Sequence, residues 1–130
     1  MAETKRKERI YISIPITDRD YERQRKRAEE LAHRLRCAGF EPVSPFAIGE
    51  NLRREWEGDD GPSWVDFMAE DFKYMLDCDG ILVDADTRGS HGCAIELAVA
   101  QVLAKGLSGR RFTIYHTKEQ WQDVKNRYII

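Results

Sequence analysis

Two acidic residues stand where their neighbours leave little room for water. Glu96 is flanked by Ala94, Ile95, Leu97 and Ala98, near the start of a helical pattern. The helix dipole favours an acid there, but burial among apolar groups is costly without a polar cleft or a partner. Asp71 falls on the apolar stripe of another helical segment, four residues after Phe67, three after Met68 and four before Met75, so it is directed toward the domain while Asp66, Glu70 and Lys73 have water-facing places. If the two carboxyls approach one site, desolvation and like-charge repulsion raise the pKa of at least one. One group is then a nucleophile or base and the other carries a proton. That division of roles is the chemistry of glycosidic-bond cleavage. Two acids satisfied by helix caps or a salt bridge would also fit the pattern.

A second feature lies just before Glu96. Gly89 and Gly92 bracket Ser90 and His91, and such a turn points backbone N–H groups, a hydroxyl and a helix N-terminus at one spot, which suits an anion such as phosphate. A purely structural turn uses the same glycines. Asp79, Asp84, Asp86 and His91 offer hard ligand atoms for a divalent metal, at generic spacing. A dinucleotide site lacks its glycine fingerprint, because neither 13–19 nor 89–96 reads GxGxxG. Cys37, Cys78 and Cys93 are odd in number and form no CxxC pair, so reduced thiols are expected, with Cys78 and Cys93 as small core side chains.

The elements that must position these residues follow from periodicity. Ile10–Ile14 reads as a strand stopped by Pro15. Ala28, Leu31, Ala32 and Leu35 recur at helical spacing until Gly39. Phe40–Val43 is a short second strand, followed by an expected loop over Ser44–Ser63 in which Glu50–Trp56 could supply a short helix. Ser63 caps a helix from Trp64 to about Asp77. Ile81-Leu82-Val83 is a third, two-sided buried strand. The next helix runs from the Gly89–Gly92 turn to about Lys105, and between Ala94 and Leu103 its only polar residues are Glu96 and Gln101, so it should be largely buried. Phe112–Tyr115 forms a strand, and Thr117 opens a last helix through Trp121 and Val124 to about Arg127. Alternating strands and helices predict an α/β domain: a three-layer Rossmann-like or flavodoxin-like sandwich with a mostly parallel sheet of four or five strands.

The 130 residues suit a single domain over 1–130. With 21 basic and 23 acidic residues and a formal charge of −2, no long nucleic-acid partner is expected. The cluster Lys5-Arg6-Lys7 with Arg9 reads as a flexible, solvated lead-in over residues 1–8. Nothing resembles a signal peptide or a membrane span, so a cytoplasmic location and no membrane partner are expected.

Three stretches together resemble the nucleoside 2-deoxyribosyltransferase-like superfamily, which includes nucleotide N-glycosidases: Tyr11-Ile12-Ser13-Ile14-Pro15-Ile16, Asp71 followed eight residues later by Asp79, and Ser90-His91-Gly92-Cys93-Ala94-Ile95-Glu96 with Ala100. The similarity runs from about Arg9 to Gly106. It implies cleavage or transfer at the N-glycosidic bond of a nucleoside or nucleoside 5′-monophosphate, with Glu96 as nucleophile, Asp71 as the supporting carboxylate and Tyr11 beside the sugar or the nucleophile. It further implies that Ser90 and the amide of Gly92 meet a 5′-phosphate, that Pro45 shapes the second loop, and that Phe46 lies against the base. Ser13, Pro15 and Asp86 are counted with the substrate contacts. Thr17 stands where phosphate-preferring members place an arginine, and Arg19 is the expected replacement, with Arg53 or Arg54 as others. The resemblance implies a small-molecule nucleoside or nucleotide partner, a homo-oligomer, no cofactor and no bound metal. A non-catalytic nucleotide-binding protein in signalling or regulation is the alternative.

Overall fold

A computed structural model of the chain describes residues 6–107 and 109–117. Strand β1 (Arg9–Ser13) leads to helix α1 (Tyr21–Cys37), β2 (Glu41–Val43), α2 (Pro45–Glu55), α3 (Trp64–Met75), β3 (Gly80–Val83), α4 (His91–Ala104) and β4 (Thr113–His116). The helix expected after Thr117 lies outside the described residues, as does the lead-in to residue 5. Arg6, also part of that lead-in, donates to both carboxylate oxygens of Asp79 at 3.1 Å.

The four strands pair in parallel, in the order β2-β1-β3-β4. This is an α/β fold of the Rossmann-like or flavodoxin-like kind, as the alternation of elements predicts. Strand residues point to opposite faces in turn, and β1 divides its side chains accordingly. Ile10, Ile12 and Ile14 pack with Ala28, Leu31 and Leu35 of α1. Tyr11 packs on the other face with Met75 of α3, Ile81 of β3 and Ala100 of α4. Gly80 is required where β3 meets β4, since a Cβ there would lie 2.5 Å from the carbonyl oxygen of Thr113.

Two expectations are corrected. The long loop after β2 is mostly helix, because Ser44 caps the amide of Phe46 and Pro45 occupies the first turn, where its missing N–H and fixed φ favour helix initiation. Helix α4 is not largely buried. Cys93, Glu96 and Ala100 are its buried residues, spaced for a single face on the sheet, while Ile95 and Val102 on other faces are exposed.

The sequence leaves β1 on one side to form β2 and returns on the other side as β3. That reversal opens a crevice at the carboxyl ends of β1 and β3, the position where open α/β sheets hold ligands.

Candidate active site

A cavity of about 680 Å³ occupies this crevice, within the usual range for small-molecule sites. Its floor is β1, whose Tyr11 and Ser13 project to one face two residues apart. Helix α4 brings Glu96 against them from the side. The Tyr11 hydroxyl donates to one carboxylate oxygen of Glu96 at 2.6 Å, and the Ser13 hydroxyl donates to the other at 2.8 Å. Both bonds are buried. Glu96 itself is 5% exposed.

Asp71 reaches the same cavity from α3, whose orientation is set at its start. Ser63 accepts from the amide of Asp66, and the Asp66 carboxylate accepts from the amide of Ser63, closing a capping box. From that start the apolar stripe turns inward, carrying Phe67, Asp71 and Met75 along one side. Asp71 and Met75 are the buried residues of the helix.

The electrostatics separate the two acids. Burial first and the neighbouring charge of Glu96 second push Asp71 up to about 8, against a smaller opposing effect of the Tyr11 hydroxyl. Burial also pushes Glu96 up, to about 7, while the hydroxyls of Tyr11 and Ser13 favour its ionised form. The Tyr11 phenol is raised well above its usual range by burial and by both carboxylates, so it remains a donor. The three groups therefore act as one coupled cluster, whose proton losses belong to the pair of acids, with the two hydroxyl donors favouring Glu96 as the ionised member.

The turn before α4 closes another side. Gly89 has φ +75°, and Ser90 accepts from the amide of Cys93 at 3.2 Å, making it the cap of α4. A hydroxyl that accepts one bond still has a proton to donate. Gly92 lies inside the first helical turn rather than in the preceding loop. Its missing Cβ lets α3 approach, with the sulfur of Met68 3.4 Å from the position a Cβ would take.

Of the residues singled out in the sequence, Tyr11, Phe46, Asp71, Ser90, Gly92 and Glu96 line the cavity, and Ser13 stands behind it holding Glu96. Pro45 lines it as well. Pro15 does not; it is fully buried, and its carbonyl accepts from the Gln24 side chain at 2.8 Å. Arg19 and Asp86 face each other at 3.7 Å outside the cavity lining, and Arg19 donates to the carbonyl of Arg88 at 2.6 Å. Those contacts tie the loop after β3 to the segment after β1. The four residues weighed as metal ligands are dispersed. Asp79 precedes β3 and holds Arg6, Asp84 follows β3 and pairs with Arg27 at 3.0 Å, and His91 lines the cavity. Among the described residues no cluster of three or more histidine, cysteine or acidic side chains could hold a metal ion.

Asp18 and Tyr21 are among the cavity residues to which the sequence assigns no role. Asp18 adopts φ +60°, a conformation uncommon outside glycine, in the segment that walls the cavity beside Thr17. Tyr21 is the first residue of α1, and its ring meets Phe46 edge to face with centroids 5.1 Å apart. Trp64, at the start of α3, lines the cavity mouth while leaving much of its side chain exposed.

No family model matches the chain, and no curated protein matches it in sequence. Among solved structures, its fold is similar to that of the 2-deoxyribosyltransferase from the psychrotolerant bacterium Bacillus psychrosaccharolyticus. The two share 21% identity with a TM-score of 0.54, over 83% of this chain and 72% of the other. Likeness at that identity is likeness of fold. Among the described residues no helix is long and apolar enough to cross a membrane.

Proposed function

We propose that this protein cleaves or transfers at the N-glycosidic bond of a nucleoside or nucleoside 5′-monophosphate, with Glu96 as nucleophile and Asp71 as general acid. The observation that carries the proposal is the buried pair itself: two carboxyls in one cavity, one held by hydroxyl donors and the other biased toward its protonated form. The fold shared with a 2-deoxyribosyltransferase agrees with that reading.

In the proposed reaction a Glu96 carboxylate oxygen attacks the anomeric carbon, and the bond from that carbon to the base nitrogen breaks. The electron pair leaves with the base, which takes the Asp71 proton. Water or a second base then gives a proton to the Asp71 carboxylate and attacks the anomeric carbon, and the bond to the Glu96 oxygen breaks, restoring both acids. Tyr11 and Ser13 keep the nucleophile oriented and ionised. In this scheme Ser90 and the Gly92 amide receive the 5′-phosphate at the α4 N-terminus. The scheme needs no cofactor.

The test is a panel of nucleosides and their 5′-monophosphates, incubated with and without a second free base. The wild type should release base from at least one member, and E96A should slow that release by about 10³-fold or more. Exchange into the second base identifies a transferase; free sugar identifies a hydrolase. Nucleotide affinity with no base release would instead establish the non-catalytic binding protein. We also propose a homo-oligomer, because Val65 and Leu76 of the α3 region and Ile95 and Val102 of α4 leave apolar side chains exposed. Sedimentation equilibrium reads that directly, and a monomer mass at micromolar concentration would reject it.

A further inference from the structure

One arginine stands among the described residues that line the cavity. Arg53, in the last turn of α2, lines it, with its guanidinium carbon 5.0 Å from the Phe67 ring centroid and 5.6 Å from that of Tyr21. One of its terminal nitrogens donates to the Tyr21 hydroxyl at 3.4 Å. Among the described residues no carboxylate is in ion-pair contact with it, whereas Arg19 and Arg27 are each held by an aspartate. The aromatic rings hold this guanidinium without hydrogen bonds to their faces, and beyond the one to the Tyr21 hydroxyl its donors are left for a ligand.

Its place along α3 says what it meets. Phe67 is one helical turn before Asp71, about 6 Å along the axis, on the same side of the helix. Helix α2 packs on α3 at Gly49, where a Cβ would lie 3.6 Å from the Phe67 ring, and Arg53 is one turn further along α2. The α4 turn meets α3 at nearly the same level but on a different side of the helix, through Gly92 against Met68, the residue after Phe67. A leaving base that takes its proton from Asp71 and lies along the Asp71–Phe67 stripe would bring its far edge level with the Arg53 guanidinium, which sits 5.0 Å from the Phe67 ring centroid.

We propose that Arg53 selects the base. A guanidinium only donates hydrogen bonds, so it favours a ring whose edge remote from the glycosidic bond carries a carbonyl oxygen and disfavours one carrying an amino group. The preferred substrates are then nucleosides of 6-oxopurines and 4-oxopyrimidines over their 6-amino and 4-amino counterparts. This selection rests on the proposed roles of Asp71 and Glu96, which fix the direction in which the base leaves.

Binding separates it from those roles. Affinities for deoxyinosine against deoxyadenosine and for deoxyuridine against deoxycytidine, each with and without a 5′-phosphate, are measured on E96A, which preserves the ligands. The oxo member should bind at least about tenfold more tightly than its amino counterpart, and adding R53M should bring that ratio below about twofold. R53Q, which offers an acceptor as well as donors, should also narrow it. Nucleoside binding with no oxo preference overturns the selection alone, as does a preference that survives R53M. Loss in R53M of the gain from the 5′-phosphate, with the base ratio intact, assigns Arg53 to the phosphate and overturns it too. Failure of every nucleoside and nucleotide to bind overturns both the selection and the proposed function.

Discussion

Two regions at the carboxyl end of the sheet bury carboxylates, and they do so with different partners. Asp84, at the end of β3, is 6% exposed and meets the Arg27 guanidinium through contacts of 3.0 to 3.4 Å. It also accepts from the amide of Ala85 at 2.9 Å. A short distance away, Glu96 and Asp71 are comparably buried but are met by hydroxyls and by each other. A buried acid neutralised by a cation ties elements together, here α1 to β3. A buried acid that finds only hydroxyls retains a proton equilibrium near neutrality, and such groups concentrate at functional sites.

The largest way to break that comparison is to neutralise Asp71. D71N should lower base release by about 10²- to 10⁴-fold, the usual range for loss of a general acid, in steady-state assays near pH 7. The same change should raise thermal stability in alkali. Asp71 and Glu96 have folded-state values above their ordinary ones, so their contribution to stability is fully present below about pH 4 and is lost as pH rises through about 7 and 8. D71N removes one of those losses, and its melting temperature should exceed that of wild type at pH 9 while matching it more closely at pH 5. A D71N protein with full activity, or with lower stability at pH 9, would place Asp71 with Asp84 as a structural acid.

The opposite outcome is expected at the clamp. D84N removes the buried counter-charge of Arg27 while the ion pair to Glu30 at 3.5 Å remains, and because Arg27 is partly exposed the cost should be about 2 kcal/mol, seen as a lower denaturation midpoint. Turnover per folded molecule should stay within about threefold. A loss of turnover comparable to that of D71N would erase the distinction between the regions.

A smaller effect sharpens the dyad from within. Activity requires Glu96 ionised and Asp71 protonated, so the pH profile should be bell-shaped with apparent limbs near 7 and 8 belonging to the pair. Y11F removes a hydroxyl that favours the Glu96 carboxylate, so the lower limb should move to higher pH. Movement to lower pH would contradict the role given to that hydrogen bond.

These regions also differ in how readily they are seen in the sequence. Glu96 and Asp71 were legible because each interrupts an apolar pattern, and the strand–helix alternation correctly predicted the parallel sheet beneath them. Arg27 and Asp84 were not legible as a pair. They are 57 residues apart, and an arginine among the charged residues of α1 gives no sign that it reaches across to β3. The same limit hid the aromatic setting of Arg53, built from α1, α2 and α3 at once. Helix α2 begins five residues before the short helix expected over Glu50–Trp56, because Gly49 and Pro45 read as loop residues while Ser44-Pro45 is a start signal. The burial expected of α4 failed because apolar composition on every face does not specify how many faces the chain itself covers.

The most direct test of the proposed chemistry is to trap the glycosyl-enzyme. A 2-fluoro-substituted nucleoside slows both steps by destabilising positive charge at the anomeric carbon, and mass spectrometry of the digested protein then locates any covalent sugar. The expected result is one fluoroglycosyl group on the peptide containing Glu96, formed with release of one equivalent of base and absent in E96A. Base release with the sugar attached to Asp71 instead would contradict the assignment of Glu96 as the nucleophile.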